Sequence, residues 1–291
     1  MKRAAVILGI LSIAIWAEAR NSGEAAPHNP PAAGQTVPAQ GATLPPAKRP
    51  PQTKTQPEFD AWKAAAANTT DPAAAEKAAD DFASKFPDSE VRVLLYQNAM
   101  RLYQNANNAE KTEAMGRKVL SLDGDHPEAL VAVAGVIGER TRDADIDKDQ
   151  RLSEASAMAL KALQTADTDI SVPAGTPQEK IDVYKAYLRS NAYSILGAIE
   201  FKKENYAAAQ ENLQKSIDAY PADPDPVVVL RLALALDKQQ KYPEALKMAI
   251  RAVEMTQDNT VIGTPARRER DRLQQLTGGA APSQPQSPPK N

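Results

Sequence analysis

The chain has 291 residues, 35 basic and 37 acidic side chains, 23 prolines, 13 glycines and no cysteine. Without cysteine there is no disulfide, thiolate metal site or cysteine nucleophile, and two histidines, His28 and His126, leave no multi-histidine metal centre or histidine-rich chemistry. A net charge of −2 gives no electrostatic reason for a nucleic-acid or anionic-membrane partner, while 42% apolar residues suffice for a core.

Residues 1–19 read as a secretory signal peptide. Lys2 and Arg3 precede a continuous apolar run from Ala4 to Ile15, and Ala17-Glu18-Ala19 supplies an A-x-A site before Arg20. The apolar run is short for a membrane span, which needs about 20 residues. The expectation is therefore export to the periplasm or secretion, with an uncleaved inner-membrane anchor as the alternative. Residues 20–57 hold nine prolines among Ala, Gln, Thr and Gly, with Val37 and Leu44 the large aliphatic residues. Such a segment buries too little surface to offset its ordering entropy, and it reads as a disordered linker. Residues 278–291, with four prolines, read as a second disordered tail.

Between these ends, residues 58–277 carry a repeat. Tyr193, Leu196 and Gly197 followed by Tyr206, Ala209, Leu213 and Pro221 recur 36 residues later as Val229, Leu232 and Ala233 followed by Tyr242, Ala245 and Ala249. Leu130, Val133, Ala134 and Ile137 lie 34 residues after Tyr96, Ala99, Met100 and Tyr103. Phe59 and Trp62, then Ala75, Ala79 and Phe82, open the series. Each half-unit places apolar or small residues at i, i+3, i+4 and i+7, one face of a helix. Short side chains at Gly197 with Ala209, and at Ala233 with Ala245, let the two helices of a hairpin approach closely.

This pattern resembles the tetratricopeptide-repeat (TPR) family over most of residues 58–277. The resemblance implies an all-α fold: a right-handed superhelix of about five helical hairpins plus a C-terminal capping helix. The unit from Tyr193 to Pro221 departs from the family pattern at Glu200, where an aromatic is usual; Gln257 replaces a closing proline, Thr112 an alanine and Lys63 a small residue. The phrase Lys85-Phe86-Pro87-Asp88-Ser89 is similar to one in bacterial envelope repeat proteins, which implies an exported bacterial member with a role in cell-envelope assembly. Helix signals agree with the repeat. Thr176-Pro177-Gln178-Glu179 reads as a capping box opening a long helix to about Lys203. Thr264-Pro265 opens a last helix whose Leu273 and Leu276 are expected to cover the final repeat.

One repeat carries an acidic insertion. Asp143, Asp145, Asp147 and Glu154 take the first, third, fifth and twelfth places of an EF-hand-like string, although Lys148 stands where the loop requires glycine. Calcium is thus a candidate ligand, against the plainer reading of a solvated loop at a helix N-terminus.

In a repeat superhelix the first helix of each hairpin lines the concave groove. Residues one place after each packing anchor lie about 100° round the helix. They are Gln97, Arg101 and Gln104, then Val131, Gly135 and Gly138, then Ser194, Ala198 and Phe201, then Leu230, Leu234 and Asp237. The lysine and asparagine set with which chaperone-binding family members clamp a peptide carboxylate is missing, so an apolar or helical partner segment is the expectation. Tyr184 and Tyr187 read as hairpin core. Paired carboxylates such as Asp80-Asp81 exist, but no nucleophile motif accompanies them, so no catalytic residue and no cofactor is assigned. The functional reading is a non-enzymatic, exported scaffold that binds a protein or peptide. Self-association through the apolar end of the groove and a calcium-responsive module are the alternatives.

Overall fold

The computed structural model describes residues 48–67, 70–170, 172 and 175–278. The signal segment 1–19, most of the linker and all but the first residue of the C-terminal tail lie outside the described residues. The described residues are all helical, with eleven helices: α1 (Gln56–Ala66), α2 (Pro72–Lys85), α3 (Arg92–Asn105), α4 (Ala109–Leu122), α5 (Pro127–Arg140), α6 (Lys148–Thr165), α7 (Gln178–Lys202), α8 (Tyr206–Ala219), α9 (Pro226–Lys238), α10 (Tyr242–Glu254) and α11 (Gly263–Leu276). No described helix is long and apolar enough to cross a membrane.

The helices pack in chain order as five hairpins, α1–α2 through α9–α10, closed by α11. Each hairpin also packs on the next, and first helices touch first helices: α1 on α3, α5 on α7, α7 on α9. Local chemistry sets the starts. Thr55, Asp71, Asn108, His126 and Asp225 each cap an N-terminus through a side-chain acceptor, and proline stands in the first turn of α1, α2, α5, α9 and α10.

Alanine builds the seam. Ala79, Ala99, Ala129, Ala155, Ala209, Ala233 and Ala245 are all fully buried. Gly197 marks a close approach of α7 to α8: a Cβ there would stand 2.6 Å from Leu213 Cγ and 3.1 Å from the Leu213 backbone nitrogen. The close contact expected at Ala209 is thus shared with Leu213, one helical turn further on. Larger side chains such as Met100, Met115, Leu152 and Leu232 fill the space between alanines at no more than 1% exposure. Each contributes about 1.5–3 kcal/mol by leaving water.

Three hairpins close with one turn. Asn107, Glu204 and Gln240 take left-handed φ values of 54°, 62° and 61°. The following N–H donates five residues back, Asn108 to Tyr103 O at 2.9 Å, Asn205 to Glu200 O at 2.9 Å and Lys241 to Leu236 O at 3.0 Å. This is the Schellman closure, repeated. The third hairpin departs from it because the acidic insertion separates α5 from α6.

The structure corrects several expected boundaries. The linker does not stay free to residue 57: α1 begins at Gln56, and residues 48–54 lie extended against the helices. Helix α7 starts at Gln178 with Pro177 at the cap, one residue later than a Thr176 capping box requires. Helix α11 starts at Gly263, and while Leu273 is fully buried against the last hairpin, Leu276 is 54% exposed.

Candidate functional site

The site grows out of how α5 and α7 lie side by side. Gly135 and Gly138 on α5 leave room for Ile195 and Ile199 of α7; a Cβ at either glycine would sit 3.6–3.7 Å from those side chains. Lys202 at the end of α7 donates to the carbonyls of Gly138 at 2.6 Å and Thr141 at 2.8 Å, which satisfies the C-terminal end of α5. The two helices therefore run in the same direction with an offset of 60 residues (195 − 135). That register places Pro127, the start of α5, level with Tyr187. Helix α7 begins about nine residues earlier, roughly 13 Å of extra helix at 1.5 Å per residue.

Tyr184, on these extra turns, and Tyr187, level with the start of α5, line a cavity of about 380 Å³. Its floor is Val131, Gly135, Leu188 and Ile195. Its rim is polar: Gln104 and Asn107 at the end of α3, Asn191 and Ser194 on α7, and Glu139 and Arg140 at the end of α5. Tyr187 meets Tyr220 edge-on with ring centroids 6.3 Å apart. An apolar floor with amide and phenol groups on its rim suits an extended peptide: the floor takes a side chain and the rim exchanges hydrogen bonds with main-chain groups.

One wall of the cavity is a buried ionic cluster. Glu128 in the first turn of α5 is 7% exposed. Arg101 forks onto it from α3, with Nε and one terminal nitrogen each 2.6 Å from a carboxylate oxygen. Gln97 donates at 2.6 Å and the Tyr184 hydroxyl at 2.8 Å. Burial alone would raise the Glu128 pKa, but the Arg101 charge and hydrogen bonds, the neighbouring His126 and the Gln97 amide hold it down at about 2. Burial and the Glu128 charge push the Tyr184 hydroxyl well above its ordinary value, so it stays a donor. Three first helices, α3, α5 and α7, are thereby tied at one point.

Of the groove residues read from the sequence, Gln104, Val131, Gly135 and Ser194 line the cavity. Gln97 and Arg101 do not: they are committed to Glu128. The fifth unit is corrected as a whole. Leu230 is buried in the C-terminal core, Leu234 packs against it, and Asp237 pairs with Arg272 of α11 at 2.5 Å. Phe201 meets Tyr206 edge-on at 5.4 Å within its own hairpin. The position after each anchor faces sideways as much as inward, so the neighbouring first helix covers it wherever it lies close. Tyr184, Tyr187 and Asn191 were not among the groove residues. Tyr184 sits on turns of α7 that have no counterpart in the other units; Tyr187 lies level with the start of α5 and Asn191 level with Val131, but neither follows one of the packing anchors read from the repeat.

The acidic insertion holds no cage. Asp143 pairs with Lys148 at 2.8 Å, Asp145 accepts from the Arg142 N–H at 2.9 Å, and Asp147 ends the loop as the N-cap of α6. Glu154 lies well inside α6 and pairs with Arg117 of α4 at 2.9 Å. Among the described residues no group of three or more acidic or histidine side chains is placed to hold a metal ion. Asp80 and Asp81 are likewise engaged: Asp80 accepts from Tyr96 at 2.8 Å and Lys118 at 2.6 Å, and Asp81 pairs with Lys77 at 2.5 Å.

No protein-family model matches the chain, and no curated protein matches it. Among solved structures it is similar to one described as Assembly Chaperone of RpL4 (Acl4), residues 1–338. The identity is 12% and the TM-score 0.39, over 76% of this chain and 96% of that one.

Proposed function

We propose that this protein is a non-enzymatic scaffold of the TPR type, a right-handed superhelix of hairpins that holds an extended segment of a partner protein in the groove between α3, α5 and α7. The cavity lined by Tyr184 and Tyr187 carries this reading, because its apolar floor takes a side chain while its polar rim offers hydrogen-bond partners to the main chain of an extended peptide. The signal-like residues 1–19 support an exported, periplasmic or secreted setting, and the envelope-like phrase at Lys85–Ser89 supports a role in envelope assembly.

The test is site-specific photocrosslinking in the full chain, with the photoreactive residue at Ser194 in the groove or at Lys77 on the outer face of α2. Ser194 is expected to yield one dominant adduct that Tyr187→Ala weakens by about tenfold, as removal of an aromatic anchor does. The same adduct from both positions, or none sensitive to Tyr187→Ala, would remove the groove from the reading.

A further inference from the structure

Four turns join one hairpin to the next among the five, and each carries two acidic residues two positions apart: Asp88 and Glu90, Asp123 and Asp125, Asp167 and Asp169, Asp223 and Asp225. Every one of these turns follows a second helix and precedes a first helix, so they line one edge of the stack. Across the first three lies the extended segment 48–54. The Lys48 N–H donates to Thr168 O at 2.9 Å in the third turn, and its ammonium reaches Asp123 in the second and Asp169, at 3.6 Å, in the third. One terminal nitrogen of Arg49 donates to both carboxylate oxygens of Glu90 at 2.8–2.9 Å, the Gln52 N–H donates to the same carboxylate at 3.3 Å, and the Lys54 ammonium donates to Asp88 O at 3.2 Å, all in the first turn. Pro50 and Pro51 hold the intervening chain extended.

The edge is therefore seen with a basic, proline-containing peptide already seated on it. Burial disfavours charge on Lys48, yet Asp123, Asp169 and Asp125 outweigh it and raise its pKa. The contacts are nevertheless open to water: the Arg49 and Glu90 side chains are 59% and 39% exposed. Exposed pairs of this kind contribute little individually. What keeps the segment in place is its covalent attachment to α1, which gives it an effective concentration in the millimolar range. The fourth turn is not reached. Asp225 caps α9 through the Val227 N–H at 2.8 Å, and no ion pair to Asp223 or Asp225 occurs among the described residues. A longer basic segment would gain there what the chain's own strap lacks.

We propose that the acidic edge formed by the inter-hairpin turns is a second peptide-docking surface, separate from the groove. Its ligand is a basic, extended segment of a partner protein, and residues 48–54 are the occupant in cis that such a segment displaces.

The probe is a synthetic peptide with the sequence of residues 48–54, titrated into the full chain and followed by amide chemical shifts. The triple variant K48A/R49A/K54A removes the competing charges from surface positions and leaves the ledge itself intact. The variant is expected to bind the peptide at least about tenfold more tightly than the unmodified chain, with shifts at residues 88–90, 123–125 and 167–169. Raising salt to about 0.5 M should weaken this binding roughly tenfold. Equal affinity for both chains, no binding to the variant, or binding indifferent to salt would overturn the proposal. A second measurement uses the unmodified chain: tryptic cleavage after Lys54 should accelerate about tenfold at high salt while the helices keep their hydrogen-exchange protection. Strap and helices losing protection together would show a fixed structural element and would equally overturn it.

Discussion

Glu128 is a carboxylate taken out of water and given three hydrogen-bonding partners in return: Arg101, Gln97 and Tyr184. The desolvation of such a pair roughly offsets its attraction, so its value lies in what happens when one member is lost. Glu128→Gln keeps the volume and an acceptor but leaves the Arg101 guanidinium without a counter-charge. The expected cost is about 3 kcal/mol, read by urea unfolding. The double substitution Arg101→Met with Glu128→Leu should recover most of that loss, because both charges leave the interior together. A Glu128→Gln cost below about 1 kcal/mol would mean that water reaches Arg101 freely and that the cluster does not organise the groove wall.

At the scale of the element, α11 shows what closes a repeat array. Its Ala266 and Leu273 are fully buried on the last hairpin, and Arg272 bridges Asp237 of α9 and Glu269 of its own helix at 2.5 and 2.8 Å. Leu273→Ala should cost about 3 kcal/mol, the range for a buried leucine with partial collapse of the cavity. Leu276→Ala, three residues on and more than half exposed, should stay within about 0.5 kcal/mol. Thermal melts of the two variants separate these outcomes, and equal losses would refute the assigned face of α11. The sequence carried the number of hairpins, their order and most of the core, because helical periodicity and small residues at hairpin contacts are local signals: Ala79, Leu213 and Ala245 could be placed from spacing alone. Helix starts slipped by one or two residues at Gln56, Gln178 and Gly263, where proline and threonine fit more than one capping register. The groove was only half legible. Ser194 and Val131 follow from the repeat, whereas Tyr184 lies on an extension unique to α7, and Leu230 and Asp237 are covered by contacts between distant segments that no repeat unit encodes.

For the whole molecule, the acid-sensitive groups sit at junctions between hairpins and share one sign. Glu76 of α2 accepts from Tyr103 of α3 at 2.5 Å and Lys111 of α4 at 2.9 Å, and Asp80 of α2 joins Tyr96 and Lys118 in the same way. Against their burial, these partners lower both carboxyl pKa values, as Arg101 lowers that of Glu128. His126 caps α5 by accepting the Ala129 N–H on Nδ1 at 3.3 Å, a bond that a proton on that nitrogen abolishes. Burial, with Arg101 and Lys48, pushes its pKa below 6.5 in spite of Glu128 and Asp123. For every one of these groups the folded pKa lies below the unfolded one, so the folded state binds fewer protons and stability falls as pH falls. The His126 contribution is complete above pH 6.5 and is lost below it. That of Glu128 is complete above its ordinary 4.5 and is lost as pH falls towards about 2. The melting temperature should therefore decline in two legs, a shallow one starting below about pH 6.5 and a steeper one below about pH 4.5. His126→Asn isolates the first leg, because asparagine caps a helix without titrating. The variant should hold its melting temperature level from about pH 6.5 to 5 and then follow the parent chain downward. If parent and variant fall together over that upper range, the first protonation lies elsewhere and His126 is a cap without a pH role.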